Sequence, residues 1–127
     1  MIRTTSLMTR QLVTVPHTAT VMDAASLMRE RRIGSVFVER HGDIVGIVTE
    51  ADIVRRAVAI GHMPGFMAVA AIMSSPVIGI EGHRPITEAA DLMERHQTRH
   101  LAVLDHGMIV GVLSVRDLLH PVSIDEF

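Results

Sequence analysis

The sequence predicts an α+β protein made of two copies of one unit, each running strand, helix, strand, strand, helix. The chain aligns with itself at an offset of about 65 residues without a gap. Along each copy the apolar spacing changes between helical and strand periods in the same order. The stretch GIVTEAD at 46–52 also returns as GVLSVRD at 111–117. At this offset LMTRQLVTV (7–15) lies on IMSSPVIGI (72–80), VMDAASLMRERR (21–32) on ITEAADLMERHQ (86–97), and SVFVERHGDIVGIVTEADIV (35–54) on HLAVLDHGMIVGVLSVRDLL (100–119). Met8 and Met73, Met28 and Met93, Gly46 and Gly111, and Asp52 and Asp117 are identical pairs.

The elements follow in order. A short helical turn around Leu7-Met8, or Ile72-Met73, precedes a short β-branched strand at Val13–Val15, or Val77–Ile80. Val21, Ala24, Ala25 and Met28 then recur at the spacing of one helical face, as do Ile86, Ala89, Ala90 and Met93. Two strands come next, VFVERHGDIVGIV and LAVLDHGMIVGVL, joined by His41-Gly42 or His106-Gly107, where glycine supplies the positive φ of a tight hairpin. A last helix begins near Thr49 or Ser114. The copies are expected at 1–60 and 71–121, with a connector at 61–70 carrying Gly61, Pro64 and Gly65, and a tail at 122–127. One such unit covers a single face of its small sheet, so a pseudo-twofold pair with matched clefts between the copies is expected.

Composition narrows the function classes. The chain has 127 residues, 48% hydrophobic and 20% charged, which suits one globular domain with a real core. Trp and Tyr are absent and Phe is scarce, so packing falls to aliphatics and nine Met, and the stacking platforms of single-strand nucleic-acid binders are missing. The formal charge of −2 points the same way. Absence of cysteine excludes disulfides and thiolate chemistry and fits a reducing compartment. The longest apolar run, FMAVAAIM at 66–73, is too short to cross a bilayer, and MIRTTSLMTR lacks the apolar core of a signal peptide. A soluble, cytoplasmic protein is expected.

Thr49 with Asp52, and Ser114 with Asp117, have the spacing of a helix capping box, in which hydroxyl and carboxylate satisfy orphan backbone N–H groups. Capping alone would explain them. Both, however, follow a strand with glycine at the same place, Gly46 or Gly111, and a strand glycine often marks close approach of a ligand or another backbone. A helix N-terminus offers N–H donors to anions, and an aspartate beside it can accept both hydroxyls of a ribose, a combination suited to a nucleotide.

The LMT…V and IMS…V openings, the AA-x-LM helices, the strand pair RHLAVLDHGMIVGVLS and the repeated G-h-h-[ST]-x-x-D ends, where h is apolar, resemble a tandem of cystathionine-β-synthase (CBS) domains, often called a Bateman module. The resemblance covers nearly all of residues 1 to 121. It implies two pseudo-twofold-related units, each β-α-β-β-α with a small three-stranded mixed sheet packed on helices. It also implies a regulatory module that binds adenosyl ligands in the clefts between copies and associates into disc-like dimers. Carried over by position, Asp52 and Asp117 would hold ribose, and Thr49 and Ser114 would face ribose or phosphates. The cleft of Thr49 and Asp52 would add Ile78, Thr98, Arg99 and His100; that of Ser114 and Asp117 would add Thr14, Ile33, Gly34 and Ser35. Where many members of the family carry Pro in the second strand, this chain has Phe37 and Ala102.

Other constellations are weaker. Among eight histidines, His96 and His100 have the spacing of a helical metal pair, but the repeat places a helix-to-strand junction between them, and no metal site is expected. Arg29, Arg31 and Arg32 end a helix, where positive charge complements the dipole. The sequence places no serine or threonine nucleophile beside a base and has no glycine-rich phosphate loop, so no enzyme and no required cofactor are expected. Three readings remain. The first is a sensor of AMP, ADP, ATP, NAD or S-adenosylmethionine that acts on a regulated protein or on its own assembly. The second is a structural homodimerisation module with empty clefts. The third is a nucleic-acid-binding subunit using Arg29, Arg31 and Arg32, against which the net charge weighs.

Overall fold

The computed structural model describes residues 1–119; the expected tail at 122–127 lies outside them. The fold is α+β, with two three-stranded mixed sheets, each built the same way. In the first, β1 (Thr14–Pro16) pairs parallel with β2 (Ser35–Arg40), which pairs antiparallel with β3 (Asp43–Thr49). In the second, β4 (Gly79–Glu81), β5 (His100–Asp105) and β6 (Met108–Ser114) repeat that order and those directions. The first strands begin one or two residues later than their β-branched runs suggest.

The sheets share their irregularities. Both hairpins turn on a residue pair with positive φ, His41 (52°) and Gly42 (84°), His106 (50°) and Gly107 (78°), the backbone of a type I′ turn. Histidine thus enters the left-handed region as well as glycine. In both hairpins the register slips at one place: Val38 faces Gly46 but Glu39 faces Ile44, and Val103 faces Gly111 but Leu104 faces Ile109. Val45 and Val110 are the extra residues of these bulges, which increase the local twist.

Packing units are offset from the sequence repeats. Val13–Val77 forms one compact unit, and Met1–Leu12 with the residues from Ile78 onward forms the other. In the first unit, α2 (Val21–Arg31) lays Val21, Ala24 and Met28 on Val36, Val38 and Val48 of the sheet. Thr20 caps α2 in a full capping box with Asp23, and Arg32 closes it in the left-handed region. After β3 the chain enters α3 (Glu50–Ile53) and widens into a π-helical turn at Val54–Val58, with Ala59 N donating to Val54 O at 2.8 Å. A single widened turn of this kind often accompanies a functional site. Val69 and Ile72 then return to the same core, and Ser74 exchanges two backbone hydrogen bonds with Ile47, at 2.9 and 3.1 Å.

In the second unit, α4 (Ile86–His96) places Ala89 and Met93 on Leu101, Val103 and Leu113, while Ala90 faces solvent. The first helical turn of the chain, α1 (Thr4–Leu7), belongs here. Thr4 is fully buried, with its N–H and hydroxyl both donating to the Arg84 carbonyl at 2.9 Å, and Thr9 exchanges hydrogen bonds with Val112 at 2.9 and 3.0 Å. The chain ends its described part with α5 (Val115–Leu118).

Candidate functional site

Each strand glycine is occupied by the unit's own backbone. A Cβ on Gly46 would lie 2.5 Å from Met73 Sδ and 3.0 Å from the Ser74 carbonyl, and one on Gly111 would lie 2.7 Å from Met8 Sδ and from the Thr9 carbonyl. Of the two causes expected for these glycines, another backbone accounts for both. The glycines therefore serve the fold and carry no information about a ligand.

The Thr-x-x-Asp spacing forms complete capping boxes. Thr49 is extended (φ −114°), so its hydroxyl can turn back to accept from Asp52 N at 3.2 Å. Asp52 Oδ2 accepts from Thr49 N at 2.9 Å and from the Thr49 hydroxyl at 3.0 Å. In the second unit Asp117 Oδ2 accepts from Ser114 N at 2.8 Å, and Ser114 Oγ accepts from Asp117 N at 3.3 Å. Thr20 and Asp23 make a third box of the same spacing, exposed to solvent, which the sequence reading passed over. Capping therefore explains the spacing by itself, and what sets the other two boxes apart is their place at the end of a sheet.

Within its own unit, each of these two boxes stands beside residues that the resemblance assigned to the other cleft. In the first unit Ser35 lies opposite Thr49, Glu50 N donates to the Gly34 carbonyl at 3.0 Å, and Ser35 is buried, so Gly34, Ser35, Thr49 and Asp52 share one sheet end. Thr14 sits on the neighbouring strand opposite Phe37, and Ile33 packs into the core. In the second unit His100 lies opposite Ser114, and Val115 N donates to the Arg99 carbonyl at 2.9 Å. Thr98 accepts from His100 N at 3.3 Å and donates to its carbonyl at 3.1 Å, which fixes the entry into β5. Ile78 accepts from Ala102 N at 3.0 Å. The two ends are similar in backbone and differ in charge: Gly34 and Ser35 stand where Arg99 and His100 stand in the other unit. Phe37 and Ala102, where many members of the family carry proline, are both buried strand residues.

Among the described residues, Asp52 and not Asp117 has an arginine at its free edge. Arg56 Nε lies 3.7 Å from Asp52 Oδ1, and the Asp52 side chain is 13% exposed. Sequence reasoning missed this residue, although a basic residue four positions after an acidic one on a helix is a pairing signal.

Two stretches of the chain, residues 5–59 and 69–123, match the CBS domain. The chain belongs to the CBS-domain family. Its CBS repeats are similar to those of the CBS domain-containing protein YhcV of Bacillus subtilis, 33% identical over 111 residues that cover 87% of this chain and 79% of that one. Among solved structures, the CBS domain protein PAE2072 from Pyrobaculum aerophilum complexed with AMP superposes with a TM-score of 0.84 at 33% identity, covering 98% of this chain and 97% of that one. A hexameric CBS-CP12 protein from bloom-forming cyanobacteria superposes with a TM-score of 0.89 at 32% identity, covering 99% of this chain and 74% of that one. Among the described residues no three or more His, Asp or Glu side chains come together as metal ligands would, and His96 ends α4 while His100 opens β5, so the two are not a helical pair. Among the same residues no helix is long and apolar enough to cross a membrane.

Proposed function

We propose that this CBS pair is a regulatory module that binds an adenosyl ligand such as AMP, with Asp52 and Asp117 each accepting the ribose hydroxyls. One observation carries the reading: in both boxes the cap engages Oδ2. A carboxylate offers about four lone-pair sites on its two oxygens, so capping leaves Oδ1 able to accept from a diol. The box would also fix the carboxylate in place before the ligand arrives, lowering the ordering cost of binding. The AMP complex of PAE2072, a relative of nearly the same length, supports the choice of ligand class.

The test is calorimetric titration of AMP into the parent and the single variants. Losing hydrogen bonds to a charged carboxylate costs about 1.5–3 kcal/mol, so Asp52→Ala and Asp117→Ala should each weaken one class of site about ten- to hundredfold. A double variant that binds AMP as the parent does would leave the aspartates as caps and nothing more.

Self-association is the second part of the proposal. Val54 (58% exposed) and Leu119 (59%) face solvent, and Val58, Ile60, Met63 and Phe66 extend the exposed apolar surface of the first unit. Ile53 and Leu118, next to them in the sequence, are half-buried against their own cores. A homodimer that covers Val54 and Leu119 is the assembly we propose, and the hexameric cyanobacterial relative is a precedent for assembly among proteins of this fold.

A further inference from the structure

Arg56 touches two things at once. Its Nε stands 3.7 Å from Asp52 Oδ1, the oxygen the capping box does not use, and its Nη1 donates to the Ile72 carbonyl at 3.2 Å. Ile72 is 1% exposed and lies at the head of a segment held on the sheet. Met73 Sδ sits over Gly46, Ser74 pairs with Ile47, and the Ser75 hydroxyl donates to the Val45 carbonyl, at the bulge, at 2.7 Å. The guanidinium is a rigid fork whose donors point in different directions, so it can span a carboxylate and a carbonyl where a lysine ammonium offers one point. The repeat makes the bridge one-sided: at the same offset, the place of Arg56 in the second copy is taken by Pro121.

We propose that Arg56 is a positioning residue that couples ligand occupancy at Asp52 to the segment Ile72–Ser75, a link that the side chain of Pro121, at the matching place, could not make. The proposal rests on the adenosyl reading above. Ribose hydroxyls donating to Oδ1 take up its lone pairs and spread its charge, which weakens its hold on the guanidinium. Arg56 then turns away and releases the Ile72 carbonyl. The segment loses one charge-assisted hydrogen bond and opens more often, with the Met73 and Ser74 amides reporting the change.

Hydrogen exchange of the peptide spanning these residues, with and without saturating AMP, tests this on the whole chain, with calorimetry on the same samples. The Arg56 side chain is 53% exposed, so loss of its bond to the Ile72 carbonyl should count as an ordinary hydrogen bond and speed local opening about three- to tenfold, and AMP should accelerate exchange in the parent by that factor. Arg56→Met should exchange fast without AMP, bind AMP calorimetrically and show no further change. Arg56→Lys, which keeps the charge and cannot bridge, should behave like Arg56→Met. Asp117→Ala should keep the AMP response and Asp52→Ala should lose it. Binding by the parent with no change in exchange overturns the coupling and leaves the adenosyl reading intact. Absence of binding by the parent overturns both. An AMP response that survives in Arg56→Lys and Arg56→Met shows that the signal, if it reaches the segment, takes another route, and overturns the role of Arg56.

Discussion

Gly111→Ala is the substitution whose cost the structure defines most closely. Its new Cβ would stand 2.7 Å from the Thr9 carbonyl oxygen and 2.7 Å from Met8 Sδ, where ordinary contact begins near 3.4 Å. The thioether can swing aside, since methionine is flexible. The carbonyl cannot move without disturbing the two hydrogen bonds that Thr9 exchanges with Val112, at 2.9 and 3.0 Å. Overpacking of this kind costs about 1–3 kcal/mol, and the smaller conformational freedom of alanine in the unfolded chain returns about 0.4–1 kcal/mol. A net loss of about 1–2 kcal/mol should lower Tm by about 3–10 °C in a domain of this size. Gly65→Ala is the control, because its Cβ would meet nothing within 4 Å and its φ is not positive. That variant should melt at or slightly above the parent. Circular dichroism melts of the three proteins decide the matter: if Gly111→Ala melts with the parent, the segment around Thr9 does not sit against β6 as described.

Two further outcomes follow from the caps and the exposed apolar face. Thr20→Ala and Thr49→Ala should each cost about 1 kcal/mol in urea unfolding, because each removes an N-cap, but only Thr49→Ala should weaken AMP binding. Equal AMP affinity in the two would detach Thr49 from the ligand. In sedimentation at micromolar concentration the parent should run as a dimer, and Val54→Ser combined with Leu119→Ser should shift it toward monomer; a parent that runs as a monomer removes the assembly proposal.

The repeat made the order of elements legible because periodicity, turn glycines and cap residues are all local signals, and each was present in both copies. Boundaries of the first strands moved by one or two residues, since a parallel strand ends where its partner β2 or β5 stops offering hydrogen bonds, a constraint absent from its own sequence. Gly46 and Gly111 could be recognised as close approaches, but what approaches them could not: Met73 and Met8 come from segments 27 and 103 residues away in the chain. The Thr-x-x-Asp spacing was legible as a cap and ambiguous as a site, and Thr20 with Asp23 shows why, having the same spacing at an exposed helix start. Arg56 escaped notice because its second contact, with the Ile72 carbonyl, depends on how the chain returns to the sheet.

The placement of Met1–Leu12 has a consequence for how the chain is made. These residues are made long before their partners: Thr4 bonds to Arg84, 80 positions later, and Thr9 must wait for Val112. The middle of the chain, Val13–Val77, contains every strand of its own sheet and can close as soon as it emerges. Residues Met1–Leu12, with exposed Met1, Ile2 and Leu12, must stay unpaired until β6 has been made, because contacts of such separation form only after the intervening loop has closed. Substitutions within Met1–Leu12 would therefore be felt first in the unit that holds β4, β5 and β6.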